Sequence, residues 1–274
     1  MTEIKLLALD LDGTLFNSQK QVSLENRRAL KEAYAKGVKV VITTGRPLAA
    51  IGNLLDELDL VSPEDYSITF NGGLVQRNTG QILAKHELAF ADVENIHGVL
   101  EPLGLPVDVL SDGIVYSIPS RGQKSLYHLA NPLLTFVEIP SLDQLPRDIV
   151  YNKIVTVCPE DYLDQRIAQL PDSLRQDYEV FKSREIILEI MPKGVHKAVG
   201  LQLLCDYDYL GLDASQVMAV GDEENDLTML KWAGLGVAMA NGVPLVKETA
   251  KVVTSRTNEN SGVAEAVDRY ILQK

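Results

Sequence analysis

At 274 residues the chain is long enough for one large domain or two smaller ones. Its 46% hydrophobic and 23% charged content is that of an ordinary globular protein. A net charge of −12 argues against nucleic acid or an anionic membrane as partner, since both require basic patches. A phosphate ligand stays open, because local amides, a lysine and a cation can outweigh the global field. Cys158 and Cys205 fit no zinc or redox spacing and read as free thiols of a cytoplasmic protein. Met1 to Lys5 leads into the first strand without an apolar leader, and no run approaches the ~18 residues of a bilayer span.

The nearly continuous apolar run Ile4 to Leu9 is predicted as a buried strand, and it ends in Asp10-Leu11-Asp12-Gly13-Thr14. On a strand, residues i and i+2 share a side, so Asp10 and Asp12 are expected side by side at its carboxyl end, with Gly13 turning the chain away. Like charges that close require a shared proton or a cation, and oxygen ligands favour a divalent one. Ser23 is the N-cap of a helix that runs to Gly37. Val38 to Thr43 is the second strand, and Pro47 stands near the start of the next helix. Ser67 to Phe70 is the third strand, closing in Asn71-Gly72-Gly73. This β-α-β-α-β order predicts a parallel sheet.

From residue 74 the rhythm changes. Leu74 to Gln76 and Gln81 to Ala84 form one hairpin, and Val107 to Leu110 and Ile114 to Ile118 another, across Ser111-Asp112-Gly113. Tyr151 to Val157 is a strand, Asp161 to Leu170 a helix, and Tyr178 to Phe181 with Ile186 to Ile190 a closing strand pair. Val195 to Tyr207 then reads as a helix, Val217 to Val220 as a strand and Leu227 to Trp232 as a helix, with short strands at Val237 to Met239 and Val252 to Thr254. The prediction is a doubly wound α/β domain, residues 1–84 and 188–274, interrupted by an inserted α+β unit, residues 85–187. Ligands of such sheets sit at the carboxyl ends of the parallel strands.

Four clusters can converge there. The Asp10–Asp12 pair also reads as a capped turn, and Thr43-Thr44-Gly45-Arg46-Pro47 as strand-to-helix punctuation. Lys197, with Lys193 as its competitor, also reads as a surface lysine, and Gly221-Asp222-Glu223-Glu224-Asn225-Asp226 as the acidic start of a helix. Together, acids, a hydroxyl and a lysine on one sheet edge read as magnesium plus phosphate chemistry.

In this motif order, with the insertion between the second and third motifs and the tail Gly234 to Asn241, the whole chain resembles the haloacid dehalogenase superfamily, in its Cof-type phosphatase branch. The resemblance implies a Mg2+-dependent phosphatase acting on a small phosphorylated metabolite, most plausibly a sugar phosphate. Alternatives are a phosphomutase or other phosphotransferase, or a phosphatase of nucleotide or cofactor phosphates such as flavin mononucleotide or pyridoxal phosphate. It implies Asp10 as nucleophile and Asp12 as general acid and base. Metal ligands would be the Asp10 and Asp222 carboxylates and the Asp12 carbonyl, with Asp226 orienting the metal site. Phosphate contacts would come from Leu11, Thr44, Gly45, Lys197 and Asn225. Arg46, Asn71 and Lys153 are candidates for selecting the substrate, in part from a cap formed by the inserted unit.

Overall fold

The computed structural model describes residues 2–206 and 208–274. In chain order the strands are β1 (Leu6–Leu9), β2 (Lys39–Thr43), β3 (Tyr66–Thr69), β4 (Leu74–Arg77) and β5 (Ile82–Lys85). There follow β6 (Val107–Ser111), β7 (Ile114–Ile118), β8 (Thr135–Glu138), β9 (Lys153–Val157), β10 (Tyr178–Arg184) and β11 (Ile187–Pro192). The last are β12 (Val217–Gly221), β13 (Leu235–Ala238) and β14 (Val252–Val253).

The chain folds as two compact units. One comprises the chain up to Gly45, Asn53–Lys85 and His196–Lys274, and the other Arg46–Gly52 and His86–Val195. The first carries an eight-stranded sheet in the order β14-β13-β12-β1-β2-β3-β4-β5. Its strands from β14 to β3 are parallel, and the hairpin β4–β5 extends it antiparallel. Every residue of β1 and β12 is buried, as their unbroken apolar runs require of strands covered on both faces. The helix Leu24–Ala35 is capped by Ser23, which accepts from the Asn26 amide, and beyond its end Gly37 adopts a left-handed φ of 83°. Its buried residues Asn26, Ala29, Leu30 and Ala33 recur at helical spacing.

The second unit carries a six-stranded sheet in the order β10-β11-β9-β6-β7-β8, antiparallel except for β7 with β8. Val107 and Val109 of β6, with Ile154 and Leu188, pack against Val93, Ile96 and Leu100 of the helix Phe90–Leu100 and Leu163 of the helix Glu160–Ile167. This unit reaches Val195 instead of stopping at 187, because β11 pairs along its length with β10 and also with β9. It also includes residues 46–52, which the sequence pattern had assigned to the α/β domain. The turn after Pro47 is a short 3-10 segment, Leu48–Ala50. The helix expected over Val195 to Tyr207 spans Lys197–Cys205, and Tyr207 lies outside the described residues. No helix among the described residues is long and apolar enough to cross a membrane. Cys158 and Cys205 are free and buried, and burial pushes their thiols up to about 11 and about 12.

Candidate active site

Sheet order builds the site. β1 lies between β12 and β2, with Leu9 level with Val220 on one side and Ile42 on the other. The residues just past these strand ends, Asp10, Asp222 and Thr44, therefore share one edge of the first unit. The Thr44 amide donates to the Ile68 carbonyl at 2.9 Å, and the Thr44 carbonyl accepts from the Asn71 amide at 3.0 Å, which pins the loop after β2 to the end of β3.

Lys197 opens its helix and is fully buried, unlike a surface lysine. His196 caps that helix by accepting from the Val199 amide through Nδ1 at 3.3 Å. Lys197 Nζ donates to Asp10 Oδ1 at 2.5 Å and to Asp226 Oδ1 at 2.6 Å. The other oxygen of Asp226 accepts the amides of Asp222 at 2.9 Å and Glu223 at 3.1 Å. Asp226 thus shapes the loop after β12 and anchors the lysine. Thr14 Oγ1 donates to Asp222 Oδ1 at 2.6 Å. Lys193, the competing lysine, belongs to the second unit and donates to the Arg175 carbonyl at 2.8 Å.

One carboxylate oxygen from each of Asp10, Asp222 and Asp226 lies within 4.8 Å of the others. Three buried acids against one ammonium leave excess negative charge. Burial pushes the Asp10 carboxyl up to about 7, with Lys197 pulling it back and Asp226 adding to the rise. Burial, with the charges of Asp10 and Asp226, pushes Asp222 up to about 9. Burial also works against the charge of Lys197, but Asp10 and Asp226 more than offset it and hold the ammonium firmly protonated. The donor set is of the all-oxygen kind that suits a hard divalent cation. Asp10 Oδ2 and Asp222 Oδ2 accept no hydrogen bond among the described residues. Gly13, at φ 79°, keeps the approach open, since a Cβ there would come within 2.2 Å of Asp222 Oδ2.

The Asp12 side chain is not part of this cluster. Strand β1 ends at Leu9, so strand alternation does not reach residues 10 to 12. The chain turns instead, with the Thr14 and Phe16 amides both donating to the Leu11 carbonyl. Asp12 Oδ1 accepts from Lys20 Nζ at 2.5 Å. Asn225 Nδ2 donates to Asn71 Oδ1 at 3.1 Å, and a Cβ on Gly45 would meet the Asn71 amide group at 3.0 Å. Asn71 therefore packs against the Thr44–Gly45 loop. Arg46 and Lys153 belong to the second unit. There Arg46 donates to the Ala50 carbonyl at 3.1 Å, and the buried Lys153 pairs with Glu189 at 2.6 Å. Thr14 and Lys20 were not singled out by sequence reasoning. Thr14 stands inside the first motif, but nothing in the sequence pattern marked Lys20.

The sequence profile of the haloacid dehalogenase-like hydrolases matches residues 7–267. The chain is 35% identical over 273 residues to the candidate phosphatase YxeH of Bacillus subtilis, covering 98% of this chain and 99% of YxeH. It is 30% identical over 272 residues to the 5-amino-6-(5-phospho-D-ribitylamino)uracil phosphatase YcsE of the same organism, covering 98% of this chain and 97% of YcsE. A crystal structure of a haloacid dehalogenase-like hydrolase from Bacteroides thetaiotaomicron is similar with a TM-score of 0.82 and 29% identity, over 97% of this chain and 99% of that one.

Proposed function

The chain belongs to the haloacid dehalogenase-like hydrolase family, and on that premise we propose that it is a magnesium-dependent phosphatase of small phosphomonoesters, with sugar and polyol phosphates as its substrate class. The observation that carries this reading is the Asp10 carboxylate held at 2.5 Å by the buried Lys197 beside Asp222. The name of YcsE supports the substrate class, since its phosphate is carried on a ribityl chain, a polyol.

In the proposed reaction an Asp10 oxygen bonds to phosphorus while the ester P–O bond breaks. The electron pair leaves with the alcohol oxygen, which takes the proton of the Asp12 carboxyl. A water oxygen then bonds to phosphorus as the Asp12 carboxylate takes its proton. The bond to Asp10 breaks, and inorganic phosphate and the free carboxylate result. The Leu11 and Gly45 amides, the Thr44 hydroxyl, Asn225 and Lys197 hold the phosphoryl oxygens, because phosphoryl transfer depends chiefly on positioning and charge neutralisation. The Asp10 and Asp222 carboxylates and the Asp12 carbonyl would hold magnesium, which supplies Lewis-acid neutralisation of the phosphoryl oxygens. Asp226 positions Lys197 and the loop of Asp222. Arg46, Asn71 and Lys153 are assigned the choice of leaving group.

The test is phosphate release across sugar phosphates, nucleotides and cofactor phosphates, with magnesium and after its removal by chelation. Sugar and polyol phosphates should lead, metal removal should silence the enzyme, and Asp10→Asn should lower turnover by about a thousandfold or more. Near wild-type turnover in Asp10→Asn, or full activity without metal, would contradict the reading. Transfer of phosphate to an added sugar in preference to water would make the enzyme a phosphotransferase.

A further inference from the structure

Lys20 sits where its backbone is least suited to a lysine. Its φ is 60°, in the left-handed region that glycine and asparagine occupy most readily. The turn that imposes this conformation is closely tied. The Lys20 amide donates to the Asn17 carbonyl at 2.9 Å, the Asn17 amide to the Gln21 carbonyl at 3.0 Å, and Asn17 Oδ1 accepts the amides of Gln19 and Gln21. Its base is fixed from outside by Asn258, which donates to the Phe16 carbonyl at 2.9 Å, and by Glu259, which accepts the Ser18 amide at 2.6 Å. The turn thus delivers the Lys20 ammonium to Asp12 Oδ1 at 2.5 Å. Both side chains are partly exposed, at 51% and 24%, so the pair contributes little to stability. The ion pair therefore does not offset the backbone strain through stability, and that points to a role in function.

We propose that Lys20 is a positioning residue for Asp12, fixing the place from which its carboxyl meets the leaving-group oxygen. This rests on the phosphatase reading above, in which Asp12 protonates the departing alcohol. An alkoxide needs that proton to leave, whereas p-nitrophenolate departs as a stable anion without it. Displacing Asp12 therefore slows alkyl esters selectively.

The experiment measures kcat/KM of the magnesium-loaded protein on β-glycerol phosphate and on p-nitrophenyl phosphate for wild type, Lys20→Met, Lys20→Gly and Lys20→Arg. Lys20→Met and Lys20→Gly should lose about tenfold or more on β-glycerol phosphate and less than about twofold on p-nitrophenyl phosphate, and Lys20→Arg should recover most of the loss. Because glycine suits the left-handed turn, Lys20→Gly should melt at or above the wild-type temperature while keeping the selective loss. Equal losses on both esters, no loss on either, or a loss that follows a lowered melting temperature overturns the proposal. Wild-type protein that hydrolyses neither ester contradicts the phosphatase reading itself, and this inference falls with it.

Discussion

Lys197 holds the buried charges of the site together, because one fully buried ammonium reaches two carboxylates at 2.5 and 2.6 Å. Removing one partner of such a buried set leaves charge uncompensated. Lys197→Met should lower unfolding stability in urea by about 3 kcal/mol, as well as abolishing phosphate release. A loss below about 1 kcal/mol would mean that Asp10 and Asp226 do not depend on it. The placement of Asp10, Thr44 and Asp222 on one edge was legible in the sequence because each lies just past a largely apolar strand, and neighbouring parallel strands bring such ends together. The burial of Lys197 was not legible, since a lone charged residue at a helix start reads as solvated. Lys20 was invisible because its contact depends on a turn that brings residue 20 back to residue 12, which no periodicity records.

At the scale of elements, the helix Lys197–Cys205 is held close to β3 by missing side chains. A Cβ on Gly200 would lie 2.6 Å from Ile68 Cγ2 and 3.1 Å from Gly72 Cα, and one on Gly72 would lie 2.2 Å from the His196 carbonyl. Overpacking at Gly200 costs about 1–3 kcal/mol, while alanine regains up to about 1 kcal/mol of helix propensity. Gly200→Ala should therefore destabilise by about 1 kcal/mol in urea melts and, by shifting Lys197, reduce turnover. In the second unit, the fully buried Asp108 accepts from the Ser117 hydroxyl at 2.5 Å and from the Ser125 hydroxyl. Burial pushes its carboxyl up to about 6 against the pull of those hydroxyls. In the unfolded chain it titrates near ~3.9, so between the two values only the unfolded chain gives up its proton, and stability falls as pH rises through that window. The window is worth about 3 kcal/mol, which Asp108→Asn should remove when urea melts at about pH 4 and about pH 6.5 are compared. Identical pH slopes in variant and wild type would contradict this account. The end of the second unit was hard to read because the pairing of β11 with both β10 and β9 joins segments that no local pattern connects.

At the scale of the molecule, the alternation of strand and helix made the parallel sheet and the inserted unit readable, since both follow from hydrophobic periodicity. The transfer of residues 46–52 to the second unit was not readable, because it depends on packing between segments far apart in sequence. A cation bound only by the folded chain stabilises it by mass action, so magnesium at about a hundredfold above its Kd should add about 2.7 kcal/mol. Asp222→Asn should lose most of that gain in a thermal melt with and without magnesium. The central claim, that Asp10 carries the phosphoryl group, is tested most directly by quenching the enzyme during turnover and reducing it with borohydride. That treatment converts an aspartyl phosphate to homoserine, located by peptide mass spectrometry. The expected result is homoserine at residue 10, only when substrate is present and absent from Asp10→Asn. Homoserine at another position, or none at residue 10 in samples taken while phosphate is being released, would contradict the account.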